Sequence, residues 1–379
     1  MDIQLNEEER QILETVRRFS RQEILFHRRS ITENGRLPDA LQQKLEALGL
    51  LRVCFPEAYG GVNATFTGLV IALKEIAYAS LVPGWGIFLN FMLAYPLLHH
   101  GSDFLKDTYL PGLISLETTG ALAFTEPDTG SDPTQLKTRA EKADGGWILN
   151  GAKRFISHSG ICDHMILFAK TDDSITAFLV ESKAAGYRPG KREIFFHESG
   201  LDNGDLYLED YFAPDNHVIG AVGGGFNILL GAEAYGKIVF AALYTGMAER
   251  ALDLALEYAN TRTHRGRPIG QKFQMTQVKI ARIVTEVSAL NAALFQVSAK
   301  VDRGADIFVD AAVLKLMVAD KILKVTADAM EIHGAYGLSS EYEVGELYRW
   351  AASAPVVMGS SDVQRVIIAN IMLQKGCYA

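Results

Sequence analysis

Apolar positions recur at helical spacing through the first part of the chain. Leu5, Ile12, Leu13, Val16 and Phe19 make one stripe, and Leu41, Leu45 and Leu48 continue the pattern, so helices are predicted to about residue 115. The break from Ala58 to Gly61 has the turn-tolerant residues that end a helix. From about residue 118 the pattern changes to short runs rich in β-branched and aromatic residues, at 147–149, 165–168, 175–180 and 206–208. Asp-Gly, Asn-Gly, Asp-Asp-Ser and the stretch from Gly186 to Gly190 lie between them and read as turns. Strands at this spacing, without helical patterns between them, predict a small antiparallel β-domain. After the glycine-rich stretch 220–225 the helical period returns over 241–260, 274–303 and 307–335, as in a helical bundle. The chain has no internal repeat and no low-complexity tract.

The most apolar stretch, Trp85 to Leu98, carries Asn90 and Pro96 and falls short of the roughly 20 residues of a membrane span. A buried helix and no membrane span are expected. At 379 residues the chain is too long for one ordinary core. The expected divisions are a helical domain over 1–117, a β-domain over 118–222 and a helical bundle over 223–379. A net charge of −8 argues against nucleic acid as the main partner, since phosphate backbones are bound by clustered Lys and Arg. The acidic, amphipathic N-terminus is unlike a secretory signal. Cys54, Cys162 and Cys377 are too few and scattered for a disulfide framework or a zinc site, which points to the reducing cytoplasm.

Several segments carry candidate chemistry, and each has a plainer reading. The glycines of 220–225 are not followed by the Gly-Lys-Ser/Thr of a phosphate loop and read as a flexible start to the next helix. Thr125 to Asp132 is a surface turn by composition, yet its hydroxyls and free backbone N–H groups suit a flat heterocycle or an anion. Asn150 to Ser157 sets an aromatic beside a hydroxyl, and alone reads as a hairpin. Arg262, Arg265 and Arg267 with His264 make a solvated basic turn or a pyrophosphate clamp. Residues 331–337 and 358–365 are glycine and hydroxyl clusters between helices. None of these fixes a function alone.

In this order and at these separations, the motifs make the chain resemble the acyl-CoA dehydrogenase superfamily along essentially its full length. The family's Thr-Glu-Pro-x-x-Gly-Ser-Asp stands as Thr125 to Asp132. Its Asn-Gly-x-Lys-x-Trp-Ile-Thr stands as Asn150 to Ser157, with Phe155 for Trp and Ser157 for Thr. Its Arg-x-x-Phe-Gly-x-Pro-Ile and Phe-Gln stand as Arg262 to Ile269 and Phe273-Gln274, with Arg265 for the Phe. Its Ile-His-Gly-Gly-x-Gly stands as Ile332 to Gly337, with Ala335 for one Gly.

The resemblance implies a mostly helical α+β fold: an N-terminal helical domain, a middle antiparallel β-domain and a C-terminal four-helix bundle. It implies FAD as cofactor, an acyl thioester as substrate and a homodimer or homotetramer. Thr125 and Ser157 would hydrogen-bond the flavin with Phe124, Gly130, Ser131 and Ile156 beside them, and Phe155 would cover one ring face. Arg262, His264, Phe273 and Gln274 would hold the pyrophosphate and adenosine side. Glu331, Ile332, His333, Gly334 and Ala335 would reach the flavin of a neighbouring subunit, and Gly359, Ser360 and Ser361 complete the cofactor set. Ser131, Lys237 and Met358 would meet the substrate.

One departure stands out. The family's Glu-Gly-Thr-Ser, whose Glu removes the thioester α-proton, stands here as Met358 to Ser361, and the alternative base position of some members is Gly236, before Lys237. The catalytic base is therefore unassigned; Glu233, Tyr235, Tyr244 and Asn90 lie in segments that could face the acyl group, each with a plainer reading as packing or surface. The family's Ile-Ala-Arg in the last helix, which meets the CoA end, is Ile368 to Asn370. A β-hydroxy or β-amino acyl group on an acyl or peptidyl carrier protein, or on CoA, is expected, because its oxidation needs no α-deprotonation. The alternatives are a non-catalytic FAD-binding partner subunit of a heteromeric relative, or other flavin chemistry such as oxygen-dependent oxidation or elimination.

Overall fold

The computed structural model describes residues 5–197 and 200–376; Cys377 lies outside the described residues. Helices open the chain: α1 (Glu7–Phe19), α2 (Leu25–Asn34), α3 (Asp39–Leu48), α4 (Phe66–Ala79), α5 (Leu81–His100) and α6 (Asp103–Ser115). Eight strands follow: β1 (Gly120–Ala123), β2 (Arg139–Ala143), β3 (Gly146–Ser157), β4 (His164–Thr171), β5 (Ser174–Glu181), β6 (Tyr187–Arg192), β7 (Asn203–Pro214) and β8 (Val218–Ile219). The remainder is α7 (Gly225–Thr261), a short hairpin, α8 (Ile269–Lys272), α9 (Gln274–Asp302), α10 (Phe308–His333), α11 (Glu343–Ala351) and α12 (Ser361–Lys375). The order helical, β, helical is that of the sequence pattern.

The chain forms two compact units: one of residues up to Arg28, Phe66–Gly84 and from Lys237 onward, the other of Arg29–Thr65 and Trp85–Gly236. In the first, α1 begins with a reciprocal cap. Asn6 Oδ1 accepts from Glu9 N at 2.8 Å and Glu9 Oε2 from Asn6 N at 3.0 Å, satisfying two backbone donors that a helix start strands. Glu75, fully buried on α4, accepts from Arg17 Nη2 at 3.0 Å and Nε at 3.2 Å. The side chain of Asp302, at the end of α9, accepts from Phe66 N at 2.6 Å and Thr67 N at 3.3 Å, capping α4 from another helix. A Cβ on Gly246 would lie 2.1 Å from the Lys74 carbonyl, so only glycine lets α7 approach α4 this closely.

In the second unit the sheet runs β6-β7-β3-β2-β4-β5-β8, and β1 pairs with β4. Most neighbours are antiparallel, as expected from the hairpin chemistry, but β1–β4 and one β2–β4 pair are parallel. Those partners are far apart in sequence, so no turn signal announces them. Two turn readings change. Tyr187 to Arg192 is an edge strand against β7; Pro189 survives there because an edge strand needs fewer ladder donors. Asn150-Gly151 lies inside β3 at a register shift, where Gly151 packs against Thr138 with no room for a Cβ. Ala58 to Gly61 ends a helix as expected, though a short 3-10 one, Glu57–Tyr59. The 220–225 stretch behaves as expected: Gly220 and Gly223 take positive φ, and α7 starts at Gly225.

The apolar run at 85–98 lies within α5, whose 20 residues exceed the run because Leu81 to Gly84 and the two terminal histidines continue the helix. Its expected shortness is thereby corrected. α5, α7 and α9 are each long and apolar enough to cross a membrane by length and composition alone, while 83% of the α5 window is buried within the protein.

Candidate functional site

One buried lysine ties β3 to the segment that leaves β1. Lys153 points into the interior of the second unit, fully buried, and its Nζ donates to Glu126 Oε1 at 2.9 Å, the Phe124 carbonyl at 3.1 Å and the Phe168 carbonyl at 2.6 Å. Glu126 also accepts from the backbone N–H groups of Lys137 (2.6 Å) and Thr138 (3.0 Å). Burial drives the Lys153 ammonium down to about 8 against the pull of Glu126. Burial opposes ionisation of Glu126 too, but Lys153 and the donated hydrogen bonds outweigh it and hold the carboxyl below its usual range. We take the pair as ionised near neutral pH. It ties the chain leaving β1 to the centre of β3, and Arg154 N donates to the Thr125 carbonyl at 2.9 Å. Phe124 to Glu126 and Arg154 to Ser157 are thus fixed side by side. Sequence reading quoted Lys153 and Glu126 within motifs but gave them no role.

At the end of β3 a second register shift puts Phe155 in the left-handed region, φ 58°, and leaves its ring 48% exposed. Arg154 Cζ lies 4.8 Å from that ring's centroid, and Phe195 is tilted against it at 6.2 Å. Ile156 turns its side chain into the sheet core, so only its backbone can face a ligand. Ser157 Oγ accepts from Asn203 Nδ2 at 2.9 Å and Trp85 Nε1 at 3.4 Å. Gly130 and Ser131 are exposed beyond the Glu126–Thr129 turn, and open space surrounds Gly130.

In the other unit, Arg262 follows the last residue of α7 and precedes a short hairpin, two residues to a strand, that turns at Arg265 and Gly266, both with positive φ. His264 packs on Phe273 at 5.4 Å, and Lys272 Nζ lies 2.7 Å from its Nδ1. Gln274 opens α9 and is exposed. Arg262 and His333 line one open cavity of about 360 Å³ with Tyr258, Tyr336 and Tyr342. His333 itself is buried, stacked 4.3 Å from Tyr258 with Nδ1 2.8 Å from the Ala329 carbonyl, so it builds the wall. Ile332 is likewise buried, Glu331 pairs with Lys279, and Gly334 and Ala335 are exposed at the end of α10.

Met358 sits half-buried with φ 57° and is followed by Gly359 with φ 72°. A non-glycine residue is held there only when the surroundings dictate it. Ser360 caps α12 through Val363 N at 3.3 Å, while the Ser361 N–H donates to the Pro355 carbonyl at 2.8 Å. The structure accounts for three of the four candidate bases by other work. Asn90 is spent on the start of β1, donating to the Leu113 and Thr118 carbonyls and accepting from Gly120 N. Tyr235 stacks on Tyr95 at 4.3 Å. Tyr244 is fully buried with its hydroxyl 2.5 Å from Ser353 Oγ, and burial raises its pKa well above a phenol's ordinary value. Glu233 is half-buried, and Lys237 is buried with Nζ 5.9 Å from the Phe308 ring.

These donor sets fit FAD. The Ser157 hydroxyl oxygen is already an acceptor twice over, which leaves its O–H for an acceptor atom of a ring. Phe155 is half exposed and so can stack on a flat ring, and Arg262 offers a guanidinium beside aromatic rings, the set that suits a phosphate next to a purine.

Comparisons with known proteins agree with this chemistry. Family models for the acyl-CoA dehydrogenase N-terminal, middle and C-terminal domains match residues 6–117, 121–211 and 223–373. A 3-(aryl)acrylate reductase of Clostridium sporogenes is 34% identical over 371 residues, covering 96% of this chain and 98% of that protein. The solved FAD complex of PigA has a TM-score of 0.93 at 27% identity over 99% of this chain and 100% of that one. The prolyl acyl carrier protein oxidase AnaB has a TM-score of 0.88 at 26% identity over 97% and 100%.

Proposed function

The chain belongs to the acyl-CoA dehydrogenase family, FAD-dependent oxidoreductases of acyl thioesters, and we propose that this member oxidises a β-hydroxy- or β-amino-acyl thioester rather than desaturating an ordinary acyl chain. Met358 carries the reading. A thioether cannot accept the weakly acidic α-proton, and a positioned base contributes roughly 10²–10⁴-fold in rate. Asn90, Tyr235 and Tyr244 are committed elsewhere. The turn at Met358-Gly359 is left-handed, and in this reading the Met358 N–H polarises the thioester carbonyl.

A β-heteroatom removes the need for the missing base. Hydride leaves the β-carbon while the hydroxyl or amine gives its own proton to solvent, so C–O becomes C=O or C–N becomes C=N. Bound FAD supplies the hydride acceptor. Thr125 and Ser157 orient the flavin by hydrogen bonds, with Phe124, Gly130, Ser131 and the backbone of Ile156 beside them, and Phe155 covers a face. Arg262, His264, Phe273 and Gln274 take the pyrophosphate and adenosine. Glu331 to Ala335 serve the flavin of a neighbouring subunit, making the working form a homodimer or homotetramer. Gly359, Ser360 and Ser361 bring backbone donors, and Ser131, Lys237 and Met358 border the substrate. Asn370 in place of the family's CoA-end arginine favours a pantetheine arm presented by an acyl or peptidyl carrier protein, and the AnaB likeness leans the same way. We place the reaction in the cytoplasm.

Anaerobic flavin bleaching by a panel of thioesters tests this. Bleaching by 3-hydroxyacyl or 3-aminoacyl carrier thioesters, and not by butyryl-CoA, is expected. Bleaching by plain saturated acyl-CoA at family-like rates sinks the proposal; FAD bound without bleaching by any thioester points to a non-catalytic partner subunit.

A further inference from the structure

Ser157 closes β3 directly opposite Asn203, the first residue of β7. A serine hydroxyl has one donor and two acceptor lone pairs. Here Asn203 Nδ2 at 2.9 Å and Trp85 Nε1 at 3.4 Å both approach the oxygen. An indole N–H can only donate, so Trp85 fixes its sense. The sense of Asn203 is fixed by its surroundings: the same Nδ2 also reaches the Phe155 carbonyl at 3.4 Å. Turning the amide over would press Oδ1 against that carbonyl oxygen. In the present orientation Oδ1 is buried and finds no hydrogen-bond partner among the described residues, a cost the structure accepts. With both lone pairs engaged, the Ser157 O–H has one direction left, away from Asn203 and Trp85.

We propose that Asn203 and Trp85 are positioning residues that make Ser157 a one-way hydrogen-bond donor toward the flavin. The inference rests on the flavin reading of Ser157 and adds residues that no motif named. A freely rotating hydroxyl would spend part of its time donating inward. A locked one arrives with its orientation fixed, and preorganised donors give up less freedom on binding.

The test is a double-mutant cycle on the dissociation constant of oxidised FAD, read by flavin fluorescence with reconstituted apoprotein. Ser157→Ala is expected to weaken binding roughly 5-fold, the size of one net hydrogen bond. Asn203→Ala in the wild-type background should weaken it several-fold, and in the Ser157→Ala background less than 2-fold. Trp85→Phe, which keeps the ring and loses the N–H, should show the same dependence and serves if Asn203→Ala fails to fold. Asn203→Asp should match Ser157→Ala, because a carboxylate draws the O–H inward. Equal effects in both backgrounds, or no effect of Asn203→Ala and Trp85→Phe on FAD binding, overturn the inference alone. Wild-type protein that binds no FAD overturns it together with the flavin reading.

Discussion

Replacing Lys153 by Met should damage the protein more than any other single change at the sheet. The ammonium holds Glu126 at 2.9 Å and two main-chain carbonyls, of Phe124 and Phe168, at 3.1 and 2.6 Å, with no exposure to water. A methionine of similar length fills the space but donates nothing. Glu126 would keep its two backbone donors from Lys137 and Thr138 and lose its counter-charge. Removing one partner of a buried pair costs about 3–5 kcal/mol, and the stranded carbonyls push the loss toward the upper end of that range. Against a typical stability of about 5–15 kcal/mol this is a large share. Glu126→Gln combined with Lys153→Met removes the uncompensated charge and leaves an amide oxygen for a backbone N–H. The double variant should therefore be more stable than Lys153→Met alone, at about 1–3 kcal/mol below wild type. Urea denaturation followed by ellipticity reads both, with FAD affinity as the local probe, since Thr125 and Ser157 flank the pair. A Lys153→Met protein within 1 kcal/mol of wild type, or a double variant whose loss is the sum of the singles, would refute the reasoning.

Three further outcomes follow from the same structure. Burial drives the His158 imidazole down to about 4, and burial lowers His164 and His217 as well. The unfolded chain therefore binds protons first as pH falls below about 6.5, and stability should decline from there toward pH 4. The depressed Glu126 adds to this in acid: its contribution is present above the ordinary carboxylate value and lost as pH falls through its lowered one. His158→Asn, which tolerates the left-handed backbone at this position (φ 64°), should flatten the slope of urea midpoint against pH between 6.5 and 4. Asp302→Ala should cost about 1–2 kcal/mol in thermal or urea unfolding, the value of a helix cap. Met358→Glu should bring saturated acyl-CoA into the substrate range, raising anaerobic flavin bleaching by at least about 10²-fold; no gain would mean that more than the carboxylate is missing.

The long helices were legible because their apolar stripes face a core, as with Val16 on α1 and Leu45 on α3. The sheet was legible where hairpin turns join neighbours, at β4 and β5. It was not legible at β6, where Pro189 and Gly190 read as turn chemistry and only pairing with β7 makes a strand, nor at β1, whose partner lies across the sequence. Met358 was legible at the place where the motif spacing expects the family's glutamate. Lys153 was not, because a lysine beside Arg154 in a strand looks like a wet face; its acceptors, Glu126 and the Phe124 and Phe168 carbonyls, lie 15 to 29 residues away. Asn203 was missed for a similar reason, since its partner Ser157 lies 46 residues away.

The proposed chemistry requires oxidation to proceed without loss of an α-hydrogen. Kinetic isotope effects on anaerobic flavin bleaching by a 3-hydroxyacyl carrier thioester, labelled separately at the α- and β-carbons, measure this directly. Hydride loss from the β-carbon alone predicts a large slowing from β-deuterium and none from α-deuterium. Comparable slowing from α-deuterium would show that the α-proton is removed in the same step, by a base elsewhere in the site that replaces the carboxylate absent at position 358.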